Sequence, residues 1–180
     1  MSAPRRSLVV LLLLAAAACT DEAPPFVPPS FERADQVALA CLDVVAAQGL
    51  PLADCDVEEP AADLHLLALV TQSQRGELAV VDLSAEEILD VDRAVPGYTF
   101  HPVGELPTGV TVPPDGQRAY VASSGARSIA VFDVGAIGQA AGRLDPIDLG
   151  DHVPFDIVAD DGRLFVTAPD EGLLLVVDPE

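Results

Sequence analysis

The chain contains no lysine and no tryptophan, and only 4% of its 180 residues are aromatic. Its nine basic residues are all arginines and face 29 acidic residues, which gives a formal net charge of −20. Because binding to nucleic acid depends on basic side chains that neutralise phosphates, this charge argues against a nucleic-acid partner. Half of the residues are hydrophobic, so the chain is expected to fold around a packed core.

The sequence also lacks the short motifs that mark common catalytic and cofactor sites. It contains no G-x-S-x-G, P-loop, H-E-x-x-H or dinucleotide fingerprint. The three histidines, His65, His101 and His152, are scattered along the chain, and no set of ligands has zinc-like spacing. We therefore assign no catalytic residue, no metal ligand and no cofactor.

The first 18 residues have the layout of a secretory signal peptide. Arg5 and Arg6 precede an apolar run over residues 8–14, and small residues follow. The run is shorter than the about 20 residues that a membrane-spanning helix needs. Cys19 comes directly after Ala16, Ala17 and Ala18 and before polar Thr20, an arrangement that resembles the lipobox of bacterial lipoproteins.

The lipobox resemblance implies a membrane anchor at Cys19. In that family the cysteine thiol receives a diacylglyceryl group, and the signal is cleaved just before it. Residues 19–32 are rich in proline and predict an extended tether between the lipid and a folded region. Thr20, in place of the Asp that retains lipoproteins in the inner membrane, implies the outer membrane of a two-membrane bacterium. Its periplasmic and surface faces both remain open.

Three segments of sixteen residues align without gaps in the remainder of the chain. In each copy a valine is followed twelve residues later by an aspartate. The copies contain short β-branched runs, and the dipeptides Asp115-Gly116 and Asp161-Gly162 predict tight turns. A four-stranded antiparallel unit of about 40–50 residues is typical of a β-propeller blade. The copies are ALVTQSQRGELAVVDL (68–83), AYVASSGARSIAVFDV (119–134) and LFVTAPDEGLLLVVDP (164–179).

The second copy, preceded by PTGVTVPPDGQR, resembles the YVTN-type repeat of β-propeller proteins. This family belongs with lactonase-like and quinoprotein-like propellers, and the resemblance covers residues 64–180. It implies an all-β fold with blades at 64–95, 107–149 and 154–180. The best-defined blade would have strands at 108–112, 118–122, 129–134 and 144–149, counted from the propeller axis outward.

Residues 33–57 admit two interpretations. Asp35 to Gly49 has the apolar spacing of a helix capped by Asp35. Alternatively, residues 38–44 align with the strands that end at the repeated aspartates, with Asp43 in the aspartate position. We favour the strand, which would make residues 36–57 a partial blade with residues 50–57 as its outer strand.

Several side chains are candidates for specific roles. Cys41 and Cys55 form an even pair in an exported chain, which predicts a disulfide bond. Thr108 and Asp156 lie near the starts of inner strands and His152 lies close by, so these three residues are the candidate lining of a pocket. The repeated aspartates are expected to stabilise the turns that follow them; they are Asp82, Asp133 and Asp178.

These features predict a lipid-anchored cell-envelope module that acts by binding or scaffolding, with its ligand undetermined. The alternative is a propeller enzyme of the lactonase-like or quinoprotein-like type, or an inactive fragment of one, because the fold hosts both classes. About three blades are present, whereas closed propellers have about 4–8. We therefore expect an incomplete or open propeller, with edges through which it could self-associate or hold a protein partner.

Overall fold

The protein is described here by a computed structural model that covers residue 31 and residues 33–55 and 61–179. In these residues the regular structure is β-strand, joined by four 3₁₀ turns of three residues each. No helix of the described part is long and apolar enough to cross a bilayer. The strands are β1 (Ala34–Asp43), β2 (Gln48–Leu50), β3 (Leu64–Gln72), β4 (Glu77–Asp82), β5 (Glu87–Ile88), β6 (His101–Pro102), β7 (Pro107–Thr111), β8 (Arg118–Ser123), β9 (Ser128–Asp133), β10 (Ile147–Asp148), β11 (Asp156–Asp160), β12 (Arg163–Ala168) and β13 (Leu173–Val177).

The first sheet has the strand order β2-β1-β3-β4-β5, and β6 also pairs with β4. All of its pairings are antiparallel. The strand interpretation of residues 35–48 is therefore confirmed for β1, and the helix is wrong. A helix would have satisfied its own backbone, whereas β1 bonds to β3 along most of its length, from Val37 opposite Val70 to Asp43 opposite Leu64.

The first sheet differs from the expected partial blade in two respects. Residues 36–57 were predicted to form a separate unit, but β1 is paired with β3 and belongs to the sheet of residues 64–88. The predicted outer strand at 50–57 is also absent over its described part, because β2 ends at Leu50 and a 3₁₀ turn occupies Leu52–Asp54. Pro51 offers no N–H for a further ladder bond, which explains why the strand stops there.

The second and third sheets follow the predicted repeat closely. The second has the order β10-β9-β8-β7, a four-stranded meander in which only the outer strand is shorter than expected. The third has the order β11-β12-β13. Its first hairpin turns through Asp161 and Gly162, whose φ angles of 47° and 72° fit the primed turn that the Asp-Gly pair predicts.

Two apolar clusters join the three sheets face to face. The cluster between the first and second sheets includes the fully buried Leu69 and Phe132. The cluster between the second and third sheets includes Ile129 and Val166. Since burial of apolar surface is the main favourable term in folding, these two interfaces hold the sheets in one stack.

The backbones of neighbouring sheets approach each other most closely at glycines. A side chain on Gly49 would collide with the carbonyl oxygen of Gly116, and one on Gly116 would collide with that of Leu50. On the inner side of the stack, β7 packs against β11 as well as against β1 and β3. Consecutive antiparallel sheets stacked in chain order, with their first strands side by side, are the arrangement of an open, partial propeller.

Candidate functional site

The inner strands β7 and β11 bring Thr108 and Asp156 close together, where these two strands begin. Thr108 lies on β7, and a Cβ on the adjacent Gly109 would be 3.1 Å from the Asp156 Cα. The Thr108 Oγ1 is buried without a hydrogen-bond partner among the described residues. The Asp156 carboxylate accepts a 2.9 Å hydrogen bond from the Ile157 N–H, and its own N–H donates to the Thr167 hydroxyl.

His152, the third predicted pocket residue, lies in the loop before β11 and contacts Glu171. The distance from the His152 Nδ1 to the Glu171 Oε2 is 2.6 Å. The other carboxylate oxygen of Glu171 accepts a 2.9 Å hydrogen bond from the Val153 N–H. These bonds, the one from His152 above all, lower the pKa of Glu171 from its ordinary value. The pair fastens the loop to the 3₁₀ turn Pro169–Glu171 that follows β12. The role of His152 in a pocket stays a prediction.

A second candidate site lies between the second and third sheets, where the inner strands end. It is a cleft of about 410 Å³ bordered by the β7–β8 and β11–β12 turns. Arg118 and Arg163 line it, together with three aspartates; these are Asp115, Asp160 and Asp161. Arginine groups of this kind bind carboxylate or phosphate, and the aspartates can bind hydroxyl or ammonium groups.

Sequence reasoning missed this cleft, although the sequence contained a signal for it. Arg118 and Arg163 each stand directly before the first residues of a repeat copy, AYV and LFV respectively. Each is the first residue of its strand, so both occur at the same end of neighbouring sheets. Their convergence depends on the stacking of those sheets.

The remaining histidines have structural roles in the first sheet and its connection to the second. The Nδ1 of His65 contacts the buried carboxylate of Asp82. His101 is buried, with its Nε2 2.6 Å from the Ile137 carbonyl oxygen and its ring tilted against that of Phe132. Burial lowers the pKa of His101. No group of three or more potential metal ligands occurs in the described residues.

The turn-stabilising role of the repeated aspartates is confirmed at two positions. The Asp82 Oδ1 accepts hydrogen bonds from the Ser84 and Ala85 N–H groups. The Asp133 Oδ1 accepts one from Gly135. Asp43 accepts two such bonds after β1, while the role of Asp178 stays a prediction.

The predicted disulfide between Cys41 and Cys55 is confirmed, with a Cα–Cα distance of 5.6 Å. It links β1 to the residue that follows the 3₁₀ turn, and so fastens the β1–β2 hairpin within the first sheet. The signal peptide, Cys19 and most of the tether lie outside the described residues. Their roles stay predictions.

No protein-family model matches the chain, and no curated protein sequence matches it either. Among solved structures it is similar to hydrazine synthase of Kuenenia stuttgartiensis, with 20% identity and a TM-score of 0.49 over 63% of this chain and 29% of that one. The computationally designed Ika4 protein has 14% identity and a TM-score of 0.43, and the match covers 63% of this chain and 59% of that one.

The β-propeller domain of Myceliophteria thermophila Cps50 (Swd1) has 10% identity and a TM-score of 0.38, over 64% of this chain and 50% of that one. In all three cases the match spans less than two thirds of the other protein's length. With these low scores, the likenesses assign neither a family nor an activity. The class of the protein, an all-β chain of propeller-like stacked sheets, follows from its own strand order and packing.

Proposed function

We propose that the chain is a lipid-anchored binding or scaffolding module of the bacterial cell envelope, in which a propeller-like domain is held on a short tether. The support for the anchor is the order of basic, apolar and small residues before Cys19. The support for a tethered domain is the proline-rich stretch between Cys19 and the first strand. The outer membrane is its proposed location.

The observation that favours binding is the cleft between the second and third sheets. The chain is strongly acidic, yet two of its few arginines converge on one opening there. Two arginines at one opening favour an anionic group on the ligand, and the neighbouring aspartates favour a hydroxyl or ammonium group. We therefore propose a small polar ligand that carries a carboxylate or phosphate.

Thermal unfolding in the presence of small ligands tests this site. Amino acids, hydroxy acids and sugar phosphates would be screened against the parent and an Arg118→Ala/Arg163→Ala double variant. A ligand that binds the folded state raises the melting temperature, and the rise should disappear in the double variant. Arg127→Ala is the matched control, because Arg127 lies in the β8–β9 turn at the other end of the strands, with a guanidinium nitrogen 3.7 Å from the Asp151 carboxylate.

Two outcomes would contradict this assignment. A ligand that stabilises the double variant as much as the parent would place binding elsewhere on the molecule. A rise of several degrees with a divalent metal or a quinone would favour the enzymatic alternative, since such an enzyme needs one of these groups in its centre.

The anchor has a separate test. Cells that express the chain would be supplied with a labelled fatty acid and then fractionated. The parent should carry the label and sediment with the outer membrane, whereas Cys19→Ser should carry none. A labelled Cys19→Ser protein, or an unlabelled parent, would refute lipidation at this residue.

A further inference from the structure

Each sheet of the stack has a leading face, which points toward the preceding sheet in chain order, and a trailing face, which points toward the following sheet. At each junction the trailing face of one sheet packs on the leading face of the next. The two internal junctions bury equivalent positions of the repeat. On the trailing faces these positions are Leu69, Leu78 and Val80 in the first sheet and Tyr120, Ile129 and Val131 in the second. All six are at most 3% exposed.

The trailing face of the third sheet has the same character but no partner among the described residues. The repeat places Phe165, Leu174 and Val176 at the positions of Tyr120, Ile129 and Val131. Leu174 and Val176 are nevertheless 62% and 57% exposed. Val158, which pairs directly with Phe165, is 56% exposed. These residues form a continuous apolar surface across three strands.

The leading face of the first sheet is open along its inner strand. Val37 and Leu39 are 58% and 40% exposed. The strand registers make Val37 equivalent to Val110 and Ile157, which pack against the preceding sheet. The outer half of this face is covered by the segment that contains Tyr98 and Phe100.

We propose that the open trailing face of the third sheet binds the open leading face of the first sheet in a second copy of this chain. The two faces lie at opposite ends of one stack and continue the junctions that already join its sheets. The three sheets of the described residues, taken from two copies, would give a ring of six, within the about 4–8 blades of closed propellers. A head-to-tail contact that closes after two copies would bring together the open faces at both junctions of the ring. The inference concerns the sheet faces alone, so it and the proposed function can fail independently.

The internal junctions indicate which residues would meet. Between the second and third sheets, the Thr111 hydroxyl lies 3.4 Å from the Ala159 N–H. Thr111 is equivalent to Val158, and Ala159 is equivalent to Leu39. Val158 of one copy should therefore contact Leu39 of the other.

Thiol cross-linking of the full chain tests this contact. A variant with Leu39→Cys and Val158→Cys would be treated with a short bifunctional reagent specific for free thiols, which leaves the Cys41–Cys55 disulfide intact. Covalent dimers should form with this variant. A Val45→Cys/Val158→Cys control should give none, because Val45 is highly exposed in the β1–β2 turn, away from both faces.

Sedimentation of the full chain, in detergent where it is lipidated, provides a second test. The parent should have twice the protein mass of one chain, and Val176→Asp or Val37→Asp should halve it. Val45→Asp, with the same added charge, should remain a dimer. The substituted side chains are already exposed, so circular dichroism should show all variants folded.

The outcomes separate the possible occupants of the open faces. A monomeric parent that gives no cross-link would overturn the proposal and leave these faces for a different protein. Dissociation by Val176→Asp but not by Val37→Asp would also overturn it, since that result means that two third sheets pack against each other.

Discussion

Reduction of the Cys41–Cys55 disulfide should lower the free energy of unfolding by about 3 kcal/mol. The bond joins residues 14 apart in sequence, and the chain-entropy account gives about 3 kcal/mol for a closed loop of about 15 residues. Cys41 is fully buried on β1, opposite Leu50 of β2 and Leu66 of β3. Reduction leaves both side chains in place, so the loss reflects the cross-link and not a cavity.

The assay is urea and thermal unfolding of one preparation with and without a phosphine reductant. For a domain of about 150 residues, a loss of about 3 kcal/mol should lower the melting temperature by about 6–12 °C. Hydrogen exchange should accelerate first in β1 and β2, because the bond fastens this hairpin. The control is the same buffer exchange without reductant. Alkylation would show that the Cys41 and Cys55 thiols are free; if unfolding is then unchanged, the argument is refuted.

Three further predictions concern packing, turns and pH. Gly116→Ala should destabilise the protein by about 1–3 kcal/mol more than Gly162→Ala in urea unfolding. Both glycines have φ near 70°, but of the two only Gly116 abuts another backbone, at Leu50. Equal losses of stability would mean that backbone strain alone matters. Asp82→Ala should lower the free energy of unfolding by about 2–3 kcal/mol, since this buried carboxylate binds two backbone N–H groups and His65. Asp133→Ala loses one exposed hydrogen bond and should lower it by about 1 kcal/mol. The reverse order of losses would contradict the structure. Burial and the Arg143 charge lower the pKa of His101, so the unfolded chain binds a proton there at a higher pH than the folded chain, and stability should fall as the pH drops below about 6.5. In urea unfolding, His101→Gln should show a smaller fall in stability between neutral and mildly acidic pH. An unchanged slope of stability against pH would exclude His101 as its source.

Much of the second and third sheets could be predicted because their information is local. Alternating apolar residues, Asp-Gly turns and strand-ending aspartates all act within a few residues of where they stand. The first sheet shows where such reasoning fails. Asp43 resembles Asp82 because both accept hydrogen bonds from the turn that follows. That likeness does not determine the strand with which β1 pairs. Because β1 pairs with β3, the prediction of a separate partial blade was wrong.

The candidate sites follow the same division. Thr108 and Asp156 could be placed near each other because they begin repeated inner strands, and the structure sets them on neighbouring ones. The cleft of Arg118 and Arg163 could not be predicted, since its walls come from two sheets that pack through Ile129 and Val166.

The sequence by itself determined the all-β class, the repeat and its turns, the pairing of Cys41 with Cys55 and the prediction of a lipid anchor. Each depends on residue types at short spacings, where backbone and covalent chemistry act directly. Only the tertiary structure decided that β1 completes the first sheet and that two arginines share a cleft. It also decided that the outermost faces of the stack are exposed. Those features depend on which surfaces are left after distant segments pack, and burial is a property of the whole fold.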